Sequence, residues 1–407
     1  MSPVERATSL GRCRDGLAAT AAQVPYLLSR VVSLAGPHGA VGLSEPYQSV
    51  EDLFDVRDVS KDYSYSNLRD KGLPPDVFGR GGFAPETSEQ NEEPVFRARL
   101  SLVEGGSVLG VAVHHSTTDI TGLGALLKIW AANCRRLRGS SDEGNGVPPS
   151  EMGEGFVSAA MLDRAAVRDL GSEVVGTEIP STMPSVIFFQ DGEPVPKPTA
   201  VTPPPEPASV CRGRRTWVST GDVLTALLWN AVVAAEAPPP SSTSDNNNAT
   251  SSSTISIPVN FRTRCEPPLP PDYLGAAFGR AAASAPVREL VSMAARSPPT
   301  MMTTSKAIRD QVNAQSIRAA VAYAAAQPDI ARVKRRPADG ISMVSWADQG
   351  VCALDWGSHV ERCEAVRLGK MPGRRHPIVL PRLADGGLEV ILSLEVAAMG
   401  RFRRMRW

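Results

Sequence analysis

An apolar run that ends in two histidines and leads directly into an amphipathic segment places the strongest constraint on the fold. Residues 109–113 form a short, partly β-branched run of the kind found in buried strands. Apolar residues then recur at helical spacing, at Leu123, Leu126, Leu127 and Trp130. The sequence therefore predicts a strand that enters a helix, with residues 114–122 as the turn between them.

The two histidines at the start of this turn cannot both face the same cavity. Side chains alternate along a strand, which puts His115 on the face of Val111 and Val113. His114 then shares the opposite face with Ala112. A general base has to be neutral at about pH 7 and close to the proton that it removes, and imidazole, with a solution pKa of roughly 6.5, suits this role. One of the two histidines is therefore a candidate base.

The residues of this turn also allow structural roles. Asp119 is well placed to cap the following helix, because Asp is a favoured N-cap residue, and a single buried histidine is usually structural. A metal site would need a third ligand at a suitable spacing, but the other histidines stand far away and form no pattern; they are His38, His359 and His376. Ser116 lies in no G-x-S-x-G turn, so a covalent nucleophile is not indicated.

Composition limits the classes of protein to which the chain can belong. At 407 residues it is long enough for two ordinary domains. It has 43 Lys plus Arg and 43 Asp plus Glu, so no global field would recruit nucleic acid or an anionic membrane. No apolar run reaches the roughly 18 residues that span a bilayer, and no signal-peptide pattern opens the sequence. Six scattered cysteines without a C-x-x-C pair favour reduced thiols in a cytoplasmic protein.

The order of periodic segments predicts the fold class. Helical spacing occurs at residues 16–32, 123–137, 220–235 and 289–326. Strand patterns occur at residues 54–59, 95–103, 109–113, 255–262, 341–346, 351–354 and 388–394. A Gly-Gly turn follows residue 104, so the segment at 95–103 is expected to form a hairpin with the strand that leads to His115. Because strands and helices are mixed throughout, the pattern predicts an α/β protein of two layered domains.

A segment dominated by proline divides the chain. Residues 180–214 are too rich in proline for the interior of a helix or a sheet, which predicts a crossover linker on the surface. The N-terminal domain would then comprise residues 1–179, and the C-terminal domain residues 215–407. Residues 241–254 are of low complexity, which indicates a loop within the second domain.

Five motifs in a fixed order relate the sequence to a known family. They are HHxxxDxxG at 114–122, the helix-opening segment at 219–229, VNFRTR at 259–264 with the downstream residues 267–275, the segment from Ser345-Trp346 to Asp355-Trp356-Gly357, and residues 380–389. Each motif alone is weak, but their order over most of the chain is specific. On these residues the sequence resembles the BAHD acyl-CoA-dependent acyltransferases, in particular the fungal branch that includes trichothecene 3-O-acetyltransferase.

The resemblance implies a reaction and a fold. The reaction is transfer of an acyl group from a coenzyme A thioester to a hydroxyl or amine of a small secondary metabolite. Acetyl is the group expected, and the sequence leaves the length of the acyl chain open. Acyl-CoA is a co-substrate, and neither a metal nor a bound prosthetic group is needed. The fold is a pair of similar α/β domains, each a mixed sheet with flanking helices, which meet at a central solvent channel. The resemblance further implies a monomer without a nucleic-acid or membrane partner.

The resemblance also implies roles for individual residues. His115 would act as the general base, and Asp119 would pair with Arg262 to fix the turn. Gly122 would allow close approach of another backbone segment. The remaining implied roles are structural support by Asp355 and Gly357, and lining of the substrate or coenzyme channel by His114, Ser345, Trp346 and Trp356.

The sequence departs from the family pattern at several positions. Ala276 stands where the family has an asparagine, and Trp356 replaces the phenylalanine of the DFGWG motif. Ser358 and His359 stand at the positions of its tryptophan and second glycine. The family's first strand, which precedes the helix at residue 16, is expected either upstream of this sequence or not at all. Two alternatives to an active acyltransferase therefore stay open: an impaired member that acts as a binding or scaffold protein, and a relative of condensation-type domains, which share HHxxxD.

Overall fold

The computed structural model describes most of the chain in ten ranges. They are residues 3–46, 48–80, 82–85, 93–137, 157–171, 219–237, 251–291, 312–329, 340–357 and 362–405. We refer to residues up to 171 as the N-terminal part and to those from 219 onwards as the C-terminal part. The predicted linker at 180–214 and the middle of the helical segment predicted at 289–326 lie outside the described residues, and the domain division stays a prediction.

The described helices vary from single turns to more than four turns. They are α1 (Pro3–Gln23), α2 (Val50–Leu53), α3 (Tyr65–Asp70), α4 (Pro75–Arg80), α5 (Ile120–Arg136), α6 (Ala159–Leu162), α7 (Ala165–Asp169), α8 (Thr220–Glu236), α9 (Val287–Val291), α10 (Ala314–Ala326) and α11 (Val396–Arg404). Short 3₁₀ turns lie at Pro25–Leu28, Ala347–Gln349 and Val351–Ala353. Of the helices in these ranges, none combines the length and the apolar character that a membrane crossing requires.

The described strands form small mixed sheets. They are β1 (Val31–Ser33), β2 (Val41–Leu43), β3 (Phe54–Asp58), β4 (Phe96–Val103), β5 (Gly106–Val113), β6 (Ser252–Asn260), β7 (Phe278–Pro286), β8 (Ile341–Ser342), β9 (Val344–Ser345), β10 (Ile378–Val379) and β11 (Val390–Ile391). The sheet orders are β1-β2, β3-β4-β5, β7-β6-β8 and β11-β10-β9. Each three-stranded sheet combines one parallel with one antiparallel pair. The predicted α/β class with mixed sheets and flanking helices is thus confirmed.

The hairpin of β4 and β5 determines where the two histidines lie. Phe96 pairs with Val113 and Val103 pairs with Gly106, so the strands are matched along their whole length. Gly105 in the turn has a φ of 76°, a left-handed conformation that glycine adopts without strain. The predicted hairpin is confirmed, and strand β5 ends directly before His114.

Trp130 of α5 anchors the core of the N-terminal part. The ring is fully buried and lies edge-on to Phe54, Phe96 and Trp356, at centroid distances of 6.2, 5.9 and 5.3 Å. Its Nε1 atom donates a hydrogen bond of 2.9 Å to the Cys13 carbonyl of α1. Such edge-on aromatic pairs contribute about 0.5–1.5 kcal/mol each beyond the burial of their area. Helix α5 is therefore held against β3 and β4 on one side and α1 on the other.

A second core lies between α8 and the β7-β6-β8 sheet. Ser219 caps α8 in a capping box, in which the side chain of Asp222 accepts a hydrogen bond from the Ser219 amide in return. Ile255 and Val259 point from β6 into this core, where they are buried with Trp229 of α8. The helices predicted at 220–235 and 123–137 agree with α8 and α5 to within a few residues.

The structure corrects four local predictions. Helix α1 ends at Gln23 rather than near residue 32, because Pro25 has no amide hydrogen to continue it and starts a 3₁₀ turn instead. The strand predicted at 351–354 is wrong: the chain bends at Gly350, which has a φ of 64°, and forms a 3₁₀ turn. The last strand pairs only at Val390–Ile391. The end of the loop predicted at 241–254 belongs to β6.

Candidate active site

The turn after β5 is held by its own hydrogen bonds. The His114 amide donates to the Val95 carbonyl at 2.9 Å, and the His114 carbonyl accepts from the amide and the hydroxyl of Thr117 at 2.9 and 2.7 Å. Asp119 then caps α5, because its Oδ1 accepts a hydrogen bond of 2.9 Å from the Gly122 amide. These bonds fix the backbone on both sides of His115 and so determine where its side chain points.

Asp119 also forms a buried ion pair with Arg262. Its Oδ1 and Oδ2 atoms accept from Nη2 and Nη1 of Arg262 at 2.8 and 2.9 Å, and the two side chains are only 7% and 1% exposed. The Ala277 amide donates to Oδ2 at 2.8 Å. The ion pair that the resemblance implied is therefore present, and it ties the histidine turn to the segment that follows β6.

The remaining N–H groups of Arg262 are satisfied by its surroundings. Nε and Nη2 donate to the Tyr273 carbonyl at 3.2 and 2.9 Å, and Nη2 also donates to the Gly275 carbonyl at 2.7 Å. Nη1 donates to Oδ1 of Asn260 at 3.2 Å. A guanidinium carries five N–H donors, and an unpaired buried charge costs several kcal/mol. The surrounding carbonyls thus make it possible to bury this cation beside Asp119.

His115 and His114 point in different directions, as strand alternation predicts. His115 is exposed and lines a large cavity, where its ring centroid lies 6.1 Å from that of Phe278 on β7. His114, predicted to line the channel, is not among the residues that line this cavity. Its Nδ1 atom accepts a hydrogen bond of 3.2 Å from the Ser116 amide. Burial lowers the pKa of His114 although Glu93 opposes this effect, so its neutral ring is favoured.

The cavity in front of His115 has a volume of about 1620 Å³ and is lined by both parts of the chain. Ser345, Trp346 and Trp356 all lie in its wall. The described wall of the N-terminal part is chiefly apolar, with side chains such as Phe83 and Val111. The C-terminal part contributes five arginines: Arg264, Arg280, Arg362, Arg367 and Arg382. Within the described ranges, no group of three or more His, Cys, Asp or Glu side chains is arranged to hold a metal ion.

The Asp355-Trp356-Gly357 segment packs between the core and the cavity. Trp356 is buried against Trp130 and also reaches the cavity wall. The Gly357 amide donates to Oδ1 of Asp355 at 2.9 Å, and Gly357 has a φ of 91°, which favours glycine. These contacts are compatible with the structural role that was predicted for Asp355 and Gly357. The departures at 358 and 359 lie outside the described residues.

The fold brings to the cavity many residues to which the sequence patterns assign no role, and three of them bear on its chemistry. They are Asn260 at the end of β6, and Phe278 and Arg280 on β7. Asn260 pairs with Phe278 across the two strands, and Arg280 donates to the Ser342 hydroxyl at 3.0 Å. The sequence does contain a signal for Asn260, because alternation along the strand puts it on the face opposite the apolar Val259. That signal shows what Asn260 faces only when the neighbouring strand is known.

At Gly122 the backbone of the C-terminal part approaches α5 closely. A Cβ atom at this position would lie 2.6 Å from the Leu274 carbonyl oxygen and would also meet the Thr118 hydroxyl. The predicted close approach is therefore present. A Cβ at Gly221, in the first turn of α8, would meet only Oγ of Ser219, at an ordinary 3.6 Å.

We expect Gly122→Ala to destabilise the protein and Gly221→Ala to leave it unchanged or stabilise it. Alanine favours a helix over glycine by about 1 kcal/mol, but the clash at residue 122 is with backbone, and such overpacking costs about 1–3 kcal/mol. Urea unfolding of the two variants measures this difference. Equal stability of both variants would show that Leu274 can move away at no cost.

Comparison with known proteins identifies the family of this chain. A model of the transferase family matches residues 207–406, and a model of the trichothecene 3-O-acetyltransferase-like N-terminal domain matches residues 2–134. The chain is 29% identical to O-acetyltransferase cpsE of Aspergillus campestris over 229 residues, which are 48% of this chain and 42% of that protein. It is 23% identical to trichothecene 3-O-acetyltransferase TRI101 of Fusarium sporotrichioides over 98% of this chain and 88% of that protein.

A solved structure shows the same fold. TRI101 of Fusarium graminearum, crystallised with coenzyme A and deoxynivalenol, superposes with a TM-score of 0.75 at 18% identity, over all of this chain and 91% of that one. Fold, motif order and family models together define an acyltransferase. More specifically, the chain belongs to the BAHD acyltransferases of the transferase family and carries their trichothecene 3-O-acetyltransferase-like N-terminal domain.

Proposed function

We propose that this protein transfers an acetyl group from acetyl-CoA to a hydroxyl group of a small metabolite, with His115 as the general base. The observation that carries this proposal is the position of His115 in the cavity wall, on a turn that the buried Asp119–Arg262 pair fixes. A general base has to lie within hydrogen-bond reach of the proton that it removes. The names of relatives as O-acetyltransferases support acetyl as the group transferred and oxygen as the acceptor atom.

The reaction proceeds without an acyl-enzyme. His115 removes the proton of the acceptor hydroxyl while its oxygen forms a bond to the thioester carbonyl carbon. The carbon–sulfur bond of the tetrahedral intermediate then breaks, and the departing thiolate takes the proton from the imidazolium of His115. Asp119 does not touch the substrates, because both of its oxygens are engaged by Arg262 and backbone amides. Its role is to position the turn.

The size and the charge of the cavity support two substrates bound at the same time. A typical pocket for one small ligand has about 300–1,000 Å³, and this cavity has about 1620 Å³. Arginine forms strong charge-assisted hydrogen bonds to phosphate. Arg367 is already bound by both oxygens of Glu389, at 2.7 and 2.9 Å, but the other arginines of the C-terminal wall suit the phosphates of coenzyme A. The apolar wall of the N-terminal part suits the carbon skeleton of the acceptor.

We also propose that the enzyme works in the cytoplasm. The cysteines in the described ranges are all free thiols: Cys13, Cys134, Cys265, Cys352 and Cys363. Free, buried thiols are typical of proteins in a reducing compartment.

Incubation of the purified protein with acetyl-CoA and a panel of hydroxylated metabolites tests the function. We expect release of free coenzyme A that depends on the acceptor, and a product that mass spectrometry shows to carry one added acetyl group. The matched control is each acceptor with its hydroxyl groups methylated, which should give no product. Saturable binding of both substrates without any transfer would contradict the proposal and favour a binding or scaffold protein.

A further inference from the structure

Strand β6 presents a single carboxamide, that of Asn260, to the cavity that His115 lines. Side chains alternate along a strand, and since Ile255 and Val259 are buried in the C-terminal core, Asn260 belongs to the opposite face. Asn260 is exposed and lines the cavity. Asn260 lies two residues before Arg262, the partner of Asp119, so the same ion pair that fixes the histidine turn also fixes this end of β6.

Hydrogen bonds determine which way the amide of Asn260 points. Its Oδ1 atom accepts from the backbone amide of Arg262 at 3.0 Å and from Nη1 of Arg262 at 3.2 Å. Both partners are donors, so the atom facing them has to be the oxygen, because an NH₂ group cannot accept a hydrogen bond. The two N–H bonds of Nδ2 therefore point away from Arg262. No acceptor for them is found among the described residues.

Asn260 and His115 share Phe278 as a neighbour. Asn260 and Phe278 are direct partners across β6 and β7, and side chains of such partners stand side by side with Cβ atoms roughly 4.5–5.5 Å apart. The ring of Phe278 is in turn 6.1 Å from the ring of His115, between centroids. A small group bound against Phe278 is therefore within reach of both the imidazole and the amide.

We infer that Nδ2 of Asn260 donates a hydrogen bond to the oxyanion of the tetrahedral intermediate, which makes Asn260 a catalytic residue. This inference rests on the proposed acyl transfer. As the acceptor oxygen bonds to the carbonyl carbon, the π pair of the carbonyl moves onto its oxygen, which Nδ2 stabilises. The pair returns when the carbon–sulfur bond breaks and the thiolate takes the proton from His115. Because Arg262 already holds the amide of Asn260 in this orientation, the donor does not have to reorient when the oxyanion forms.

The substitution Asn260→Asp tests this role. Aspartate has the same shape and keeps an acceptor for Arg262, but it has no N–H to offer. We expect kcat to fall by about 10² to 10³, the usual effect of losing one oxyanion donor, with little change in KM for acetyl-CoA. Asn313→Asp is the matched control: Asn313 caps α10 with its Oδ1, and Asp caps a helix equally well. This control should keep the wild-type kcat.

A pH profile separates loss of the donor from the effect of the added charge. A carboxylate near His115 would favour its protonated form and move the rise of kcat to higher pH, whereas loss of the oxyanion donor lowers the plateau itself. Asn260→Ala, which adds no charge, should lower the same plateau. A plateau of kcat equal to that of the wild type in either variant, or an increase in KM without a fall in kcat, would overturn the inference. Absence of turnover in the wild-type protein would instead refute the proposed function.

Discussion

Replacing His115 with alanine is expected to lower the rate of acetyl transfer by about 10² to 10⁴, the usual contribution of a general base. The thermal midpoint should stay near that of the wild type, because the ring is exposed in the cavity and its side chain makes no hydrogen bond to the residues that the structure describes. Initial rates at saturating acetyl-CoA, together with thermal unfolding, measure the two effects separately. More than about a tenth of the wild-type rate in this variant would show that general-base catalysis by His115 is not how the enzyme works.

The neighbouring histidine supplies the matched control. His114→Asn removes the imidazole but offers Oδ1 as an acceptor for the Ser116 amide in place of Nδ1. His114 is not among the residues that line the cavity, so this variant should keep most of its activity. If His114→Asn lost as much activity as His115→Ala with its fold intact, the assignment of the base to residue 115 would have to be abandoned.

Removing either partner of the Asp119–Arg262 pair is expected to destabilise the protein by about 3–5 kcal/mol, because each change leaves the other charge buried without its partner. Asp119→Ala also removes the cap of α5 and the acceptor for the Ala277 amide. Activity should fall together with stability, since the turn that carries His115 loses its anchor. Urea unfolding gives the free energy, and the exposed pair Arg168–Asp169, with a comparable separation of 3.0 Å, provides the control. Arg168→Ala should cost no more than about 1 kcal/mol.

The double variant tests whether the two residues act as a pair. When Asp119→Ala and Arg262→Ala are combined, no buried charge is left without its partner, so the total loss should be smaller than the sum of the single losses. Additive free energies in this cycle would mean that the ion pair does not couple the two residues. Retention of full activity by the double variant would show that the turn is positioned without it.

Local backbone geometry determined which histidine faces the cavity. The alternation of side chains along residues 109–113 puts His115 and His114 on opposite faces, whatever the rest of the fold does. The structure agrees, since His115 lines the cavity and the His114 ring accepts a hydrogen bond from the turn. The cap of α5 by Asp119 is local in the same sense. Short-range patterns of this kind also predicted the β4–β5 hairpin and helices α5 and α8.

Local patterns misassigned one short segment, and they could not supply contacts with residues far along the chain. Residues 351–354 have the composition of a strand, but the bend at Gly350 turns them into a 3₁₀ segment. In contrast, the pairing across β6 and β7 puts Asn260 next to Phe278, whose ring also neighbours His115. A strand's side chains acquire neighbours only when its partner and register are known.

The sequence by itself determined elements such as the β4–β5 hairpin and helices α5 and α8, the face of the strand on which His115 lies, and, through the order of its motifs, the family. Only the tertiary structure decided what surrounds that face. Arg262 follows Asp119 by 143 residues, and the cavity wall combines apolar residues before residue 171 with arginines after residue 219. The reason is physical: helices and strands follow from interactions within a few residues, whereas a buried ion pair, a cavity and an oriented amide exist only after distant segments have packed together.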